Sequence, residues 1–340
     1  MTDGFEYPIK EWKKIKDDYK NGSLIIGNGA SIALHSKFGF SSLKEEAERL
    51  GLFNEYISKL FSEFDTCDFE LILRLVWHAK LVNNYLGIND KKIDSAYENI
   101  KEALIEIVKE VHCEHAEIAA QLPQLYQFTK QFKTIVSLNY DLILYWVLMY
   151  GNREKDGHKF KDCFQGGGIF SSSWKDMREP IYDQKEVTLS FYQHGNLSIF
   201  RDINNSEIKL QSDGINNLIN VITEQWIDNK IPLFVAEGTG TKKLESIKSS
   251  PYLSTVFYEV LSELINDNSN LVIYGWSVGE QEAHLVQQIF KNKESGKVAI
   301  STYDKDQDEC HRVYRLIKGI APNIEVEFFD SQSSSCWNNP

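Results

Sequence analysis

Apolar positions in this chain fall into short unbroken runs that end in glycine or small polar residues. The first, Leu24 to Ile26, runs straight into Gly27-Asn28-Gly29-Ala30-Ser31 and predicts a strand followed by a tight loop. Thr134 to Leu138 is nearly continuous and rich in β-branched residues, as expected of a parallel strand buried on both faces; it runs into Asn139-Tyr140-Asp141. Further strands are predicted over Val187 to Gln193 (ending at His194-Gly195), Leu233 to Ala236 (before Glu237-Gly238-Thr239-Gly240-Thr241-Lys242) and Leu271 to Tyr274 (ending at Gly275-Trp276-Ser277). Two more cover Lys297 to Thr302 and Ile324 to Phe329.

Helical spacing fills the intervals. Glu6 to Tyr19 predicts an amphipathic helix ending before the Asn21-Gly22 turn. Residues 42–132 form a long helical block with segments Leu43–Phe61, Asp68–Leu86, Ile93–Val111 and His115–Phe132. In the second segment apolar residues recur every three or four positions, and Asn89-Asp90 marks the break before the third. Another helix is expected over Leu253 to Asn266. Residues 151–186, with Gly166-Gly167-Gly168 and Ser171-Ser172-Ser173, read as an irregular loop or small hairpin near the site, and the tail Ser331–Cys336 reads as frayed. Strand and helix alternate from Leu233 onward. The fold class that follows is α/β: one doubly wound parallel sheet with a large helical insertion after the first strand, in a single domain over residues 1–340.

Composition narrows the function. Hydrophobic residues make up 42% of the 340 residues, enough for a substantial core. A formal net charge of −12 argues against a general nucleic-acid binder, and the five lysines between Lys10 and Lys20 are interrupted by Glu11, Asp17 and Asp18. No apolar run is long enough to span a membrane, and the N-terminus lacks a signal-peptide pattern. Five scattered cysteines without Cys-x-x-Cys point to free thiols in a reducing cytoplasm.

In an open parallel sheet, ligands bind beyond the carboxyl ends of the strands. Four motifs fall there. Gly27 to Ser31 would take a pyrophosphate, with Ser31 capping the next helix; the alternative is a tight turn without ligand. Ile32 stands where a third glycine would complete Gly-x-Gly-x-x-Gly, which disfavours nicotinamide hydride transfer. Asn139 offers a donor and an acceptor for a carboxamide, a ribose hydroxyl or a water. Asp141 either accepts from a ligand amide or caps the following helix. His194 is the candidate for proton transfer, against the alternative of a core histidine satisfied by backbone. Gly275, Trp276 and Ser277 would admit a phosphate or ribose, or simply form a strand-to-helix turn. Lys242 and Lys243 could face a phosphate but read as solvated, and Glu280 and Glu282 read as support for a helix N-terminus. The remaining histidines lack comparable placement; His112 and His115, at i, i+3, read as the end of an exposed helix rather than metal ligands.

Taken in order, these motifs resemble the sirtuin superfamily, and in particular the Sir2-like domains of bacterial anti-phage defence proteins. Gly27-Asn28-Gly29-Ala30-Ser31 is similar to the family's Gly-Ala-Gly-x-Ser. Ser137-Leu138-Asn139-Tyr140-Asp141 is similar to its Thr-x-Asn-x-Asp, His194-Gly195 to its catalytic His-Gly, and Tyr274-Gly275-Trp276-Ser277 to the Gly-Tyr-Ser of the defence branch. Asn28 replaces the usual alanine. No cysteine lies between His194 and Tyr274, where deacetylating sirtuins carry a four-cysteine zinc module, so no zinc is expected. The resemblance implies a Rossmann-like, Sir2-type sheet and an NAD+ glycohydrolase that releases nicotinamide and ADP-ribose, with NAD as substrate. Asn139 and His194 would be catalytic; Gly27, Asn28, Gly29, Ala30, Ser31, Asp141, Gly275, Trp276 and Ser277 would hold the dinucleotide. It further implies NAD depletion during phage infection, under control of a homo-oligomer or an activating partner protein. The rival readings are an NAD-dependent protein deacylase or ADP-ribosyltransferase, and a non-catalytic sensor of NAD or ADP-ribose.

Overall fold

The computed structural model describes residues 5–39, 42–201, 206–210, 218–227, 230–235, 240–266 and 269–340. Its frame is a mixed α/β fold built on an eight-stranded parallel sheet. The strands are β1 (Ile9–Glu11), β2 (Ser23–Ile26), β3 (Thr134–Ser137), β4 (His158–Lys161), β5 (Glu186–Tyr192), β9 (Leu271–Tyr274), β10 (Lys297–Thr302) and β11 (Glu325–Asp330). A second, antiparallel sheet contains β6 (Gly195–Arg201), β7 (Glu207–Lys209) and β8 (Ile231–Phe234).

The order in the large sheet is β1-β11-β10-β9-β2-β3-β5-β4, and every neighbouring pair runs parallel. Ile25 of β2 lies opposite Val136 of β3 on one side and Ile273 of β9 on the other. The chain steps outward from β2 through β3 to β5, then returns across β2 to β9 and steps outward again to β10 and β11. Connections from β2 and β9 therefore diverge, and a crevice opens beyond their carboxyl ends. All residues of β2, β3 and β9 are buried, as their unbroken apolar runs require.

The helical block between β2 and β3 has the expected position with finer divisions. The expected helix Leu43–Phe61 is two helices, Leu43–Arg49 and Glu55–Glu63. Gly51 stops the first at φ +69°, where Leu52 N–H bonds back to Ala47 O, and the Asn54 side chain caps the second at Ile57 N–H. Asp68 and Asp90 cap Phe69–Tyr85 and Lys91–Val111. A buried ion network docks this block on the small sheet: Arg201 meets Glu70 at 2.8 Å and Glu207 at 3.2 Å. Burial this deep requires that each charge keep its partner.

Several expectations are corrected. The N-terminal helix begins only at Trp12, because Ile9–Glu11 is drawn into an edge strand beside β11. Leu233 and Phe234 belong to β8, which pairs antiparallel with β6 in the small sheet and not in the parallel one; Ala236, Glu237, Gly238 and Thr239 lie outside the described residues. Strand β6 itself follows His194 without a loop, a reversal that Gly195 permits at φ +73°, packed against Leu233 O. The expected helix over Leu253–Asn266 starts at Pro251 and widens into a π turn over Val256–Val260. Within 151–186, His158–Lys161 forms an edge strand beside β5, and Asp162, Cys163, Phe164 and Met177 line a smaller, separate cavity.

The tail is anchored, not frayed. Trp337 is fully buried against Tyr274 and Phe128, and its indole N–H donates to Ala30 O at 2.8 Å. Asn338 donates to Ala33 O, and Gln124 to Asn339 O. Cys113, Cys163, Cys310 and Cys336 are buried thiols. Among the described residues no helix is long and apolar enough to cross a membrane.

Replacing Trp337 with alanine removes a buried indole and its hydrogen bond to the loop after β2. The expected loss is about 3–5 kcal/mol of unfolding free energy, read by urea denaturation. A loss below about 1 kcal/mol would contradict the anchoring role.

Candidate active site

Beyond the carboxyl ends of β2, β3 and β9 lies a cavity of about 1130 Å³. Its walls include Gly27, Asn28 and Gly29 after β2, Asn139 and Asp141 after β3, His194 after β5, and Gly275, Trp276 and Ser277 after β9. Four segments far apart in sequence thus converge on one space. Of the eleven candidates, Ala30 and Ser31 do not line it; both are buried behind the wall.

The glycines allow two backbones to touch. A Cβ on Gly27 would come within 2.6 Å of Gly275 O and of Trp276 Cα, and one on Gly275 would strike the backbone of Gly29 and Ala30. Gly275 also stands at φ +67°, which a side chain disfavours. The N–H of Gly27 donates to Tyr274 O at 2.9 Å and that of Gly29 to Gly275 O at 2.8 Å. Those two N–H groups are spent joining the loops, and the glycines are required first for that packing.

Behind the wall runs a chain of buried polar contacts. Asn139 Nδ2 donates to Gly27 O at 3.0 Å and to Ser31 Oγ at 2.9 Å, and Ser31 Oγ donates to Asp141 Oδ2 at 2.5 Å. Asp141 Oδ1 accepts from Ile143 N–H, and Asn196 Nδ2 donates to the Asp141 carbonyl. Asp141 therefore holds the first N–H of the helix Ile143–Gly151, whose N-cap is Leu142, while still edging the cavity. Burial pushes its carboxyl up to about 6, against the bonds from Ser31 and Ile143 that lower it. The amide hydrogens of Asn139 are fully used, which leaves its Oδ1 as the group with capacity toward a ligand.

His194 is the chemically distinctive residue. Its Nδ1 lies 3.0 Å from Leu138 O, beside Asn139 in sequence; a carbonyl can only accept, so Nδ1 carries the proton. Nε2 then bears a lone pair. It is buried and has no hydrogen-bond partner among the described residues. Burial, reinforced by the nearby Lys243 charge, lowers the imidazole to about 4, so it is neutral at ordinary pH.

Two residues read as peripheral belong to this wall. Lys243 is buried, with Nζ 3.5 Å from Glu282 Oε1, and the Trp276 indole N–H donates to Glu282 Oε2. Burial alone would raise the Glu282 carboxyl; His194, Lys243 and the Trp276 N–H outweigh it and hold it below its ordinary value. A periodic signal marked both: Lys243 shares a helix face with buried Ile247, and Glu282 stands three and four residues before buried Leu285 and Val286. Lys242, by contrast, pairs with exposed Asp65. His112 is corrected as well. It is buried rather than at an exposed helix end, with Nδ1 at Cys113 O and Nε2 accepting from Leu142 N–H.

Because the native state keeps His194 neutral down to about 4 while an unfolded histidine titrates near 6.5, the unfolded chain binds more protons in that window. Stability contributed here is present above pH 6.5 and is lost as pH falls through 4. The loss amounts to at most about 3 kcal/mol. His194→Gln is expected to flatten this part of the decline between pH 6.5 and 4.5 in thermal melts; an unchanged pH slope would contradict a buried neutral imidazole.

No curated protein matches the chain. The model of a family described as a domain of unknown function, DUF4917, matches residues 24–337. That span takes in most of the sheet, the helical block and the four motif segments that line the cavity, and the chain accordingly belongs to the DUF4917 family.

Proposed function

We propose that the cavity is the active site of an NAD+ glycohydrolase on a Rossmann-like, Sir2-type frame, with the helical block as an insertion after β2. The supporting observation is the convergence of the four motif segments on one cavity at the diverging strands, with His194, whose Nε2 has no partner among the described residues, and Asn139 lining the same space.

In this reading the ADP portion lies along Gly27 to Gly29 and Ser277, with the nicotinamide ribose near Asn139 and His194. The bond from C1′ to the pyridinium nitrogen breaks, and its electron pair leaves with neutral nicotinamide. An oxocarbenium-like centre remains at C1′. A water attacks it and gives up a proton, which His194 Nε2 accepts and releases to solvent, yielding ADP-ribose. Asn139 Oδ1 accepts from that water or from a ribose hydroxyl. The leaving group is cationic before it departs and the centre it leaves is strongly electrophilic, so a weak base suffices. Asp141 acts through Ser31 and Asn139, orienting them rather than gripping the carboxamide. The cellular role proposed with this chemistry is NAD depletion in anti-phage defence.

The test is nicotinamide release from NAD by the purified protein, with and without an acyl-lysine peptide. Release without peptide is expected. Release only with peptide would favour the deacylase or transferase reading, and calorimetric binding of ADP-ribose without turnover would favour the sensor. His194→Ala is expected to lower turnover by about 10²-fold or more with the fold retained. Asn139→Ala is expected to abolish turnover and also to cost about 1–3 kcal/mol, since Gly27 O and Ser31 lose their donor. Parental turnover in both variants would refute the site.

A further inference from the structure

We propose that Lys243 and Glu282 act as a pair of positioning residues that sets the charge facing His194 and fixes the Trp276 ring in the cavity wall. This inference rests on the reading of His194 as the base and adds to it the groups that control that base.

The geometry is a chain across three elements. Lys243 comes from the helix Gly240–Lys248, Glu282 from the turn Glu280–Glu282, and Trp276 from the loop after β9. One Glu282 oxygen faces the Lys243 ammonium at 3.5 Å and the other accepts the Trp276 indole N–H, so a single carboxylate ties both neighbours. Lys243, Glu282, Trp276 and His194 all line the same cavity. Burying a lysine and a glutamate here is costly unless the two stay paired. A largely enclosed pair is also screened by salt much less than a surface pair, which makes it a steadier source of field at a neighbouring ring.

Opposite signs act on His194. Lys243 disfavours the imidazolium and Glu282 favours it. His284, from the helix Ala283–Phe290, faces the same group, and neither of its ring nitrogens has a hydrogen-bond partner among the described residues. Asp141 and Glu280 also edge the cavity; the Asp141 carboxylate is turned to Ser31 and Ile143, and Glu280 is exposed. Within the pair, the lysine keeps the imidazole unprotonated and ready to accept, while the carboxylate limits that suppression. A merely structural pair would hold Trp276 without governing the titration of His194.

The experiment is an NMR titration of the His194 ring in the parent protein, K243M, E282Q and E282Q/K243M, with thermal melts as the fold check. Methionine preserves the unbranched stem of Lys243, and glutamine can still accept from Trp276. The His194 midpoint is expected to rise by about 1 pH unit in K243M, to fall in E282Q and to return toward the parent in the double variant. Comparing E282Q with E282Q/K243M gives the same upward step without leaving an unpaired carboxylate, should K243M fail to fold. A midpoint unmoved by K243M in both backgrounds would overturn the proposal. Nicotinamide release is followed in parallel, and its pH profile is expected to move with the same sign. Midpoints that move in a protein that releases no nicotinamide would uphold the pair and refute the hydrolase reading.

Discussion

Two loops that leave neighbouring strands in diverging directions must nevertheless touch. That contact, between the loop after β2 and the loop after β9, is the constraint on which the cavity depends. It is made backbone to backbone, with Gly27 N–H on Tyr274 O and Gly29 N–H on Gly275 O. No side chain fits between them, so the glycines are fixed by packing before any ligand is considered. The tail reinforces the same place through Trp337, whose indole bonds Ala30 O at the back of the loop.

On this closed seam the polar chain from Asn139 through Ser31 to Asp141 is satisfied at nearly every atom. Buried polar groups are tolerated only under that condition, and complete satisfaction also makes the arrangement rigid. Against that background the unpartnered Nε2 of His194 stands out. Its Nδ1 is committed to Leu138 O, which fixes the tautomer and leaves the lone pair on Nε2. The charges that act on it most, Lys243 and Glu282, come from segments with no motif character of their own.

Much of the architecture was legible along the chain. The expected bounds of β2, β3, β5, β9, β10 and β11 agree with the structure within a residue or two, because a largely buried strand leaves a short cluster of apolar and β-branched residues in the chain. The candidate residues at their ends were legible for the same reason, since the rule about carboxyl ends needs only the strand positions. β6 leaves no separate signal, because it begins at Gly195, the glycine expected to close the preceding strand. β8 was recognised as a strand but assigned to the wrong sheet, since an apolar run carries no record of its partner. The serines of the tail carry the local signal of a loose end, and Trp337, which anchors it, has no local signature.

By itself the sequence determined where strands and helices form, where caps and glycines interrupt them, and which polar residues stand at strand ends. These are local properties, set by periodicity and by the steric freedom of single residues. Only the tertiary structure decided that Gly27 and Gly29 spend their N–H groups on the end of β9 and its loop, that Asp141 faces Ser31, and that Lys243 and Glu282 pair in the cavity that His194 lines. Each of these joins residues from separate elements, Lys243 and Glu282 39 positions apart and Ser31 and Asp141 110 apart, whose meeting is set by the packing of whole elements and leaves no periodic trace in the chain.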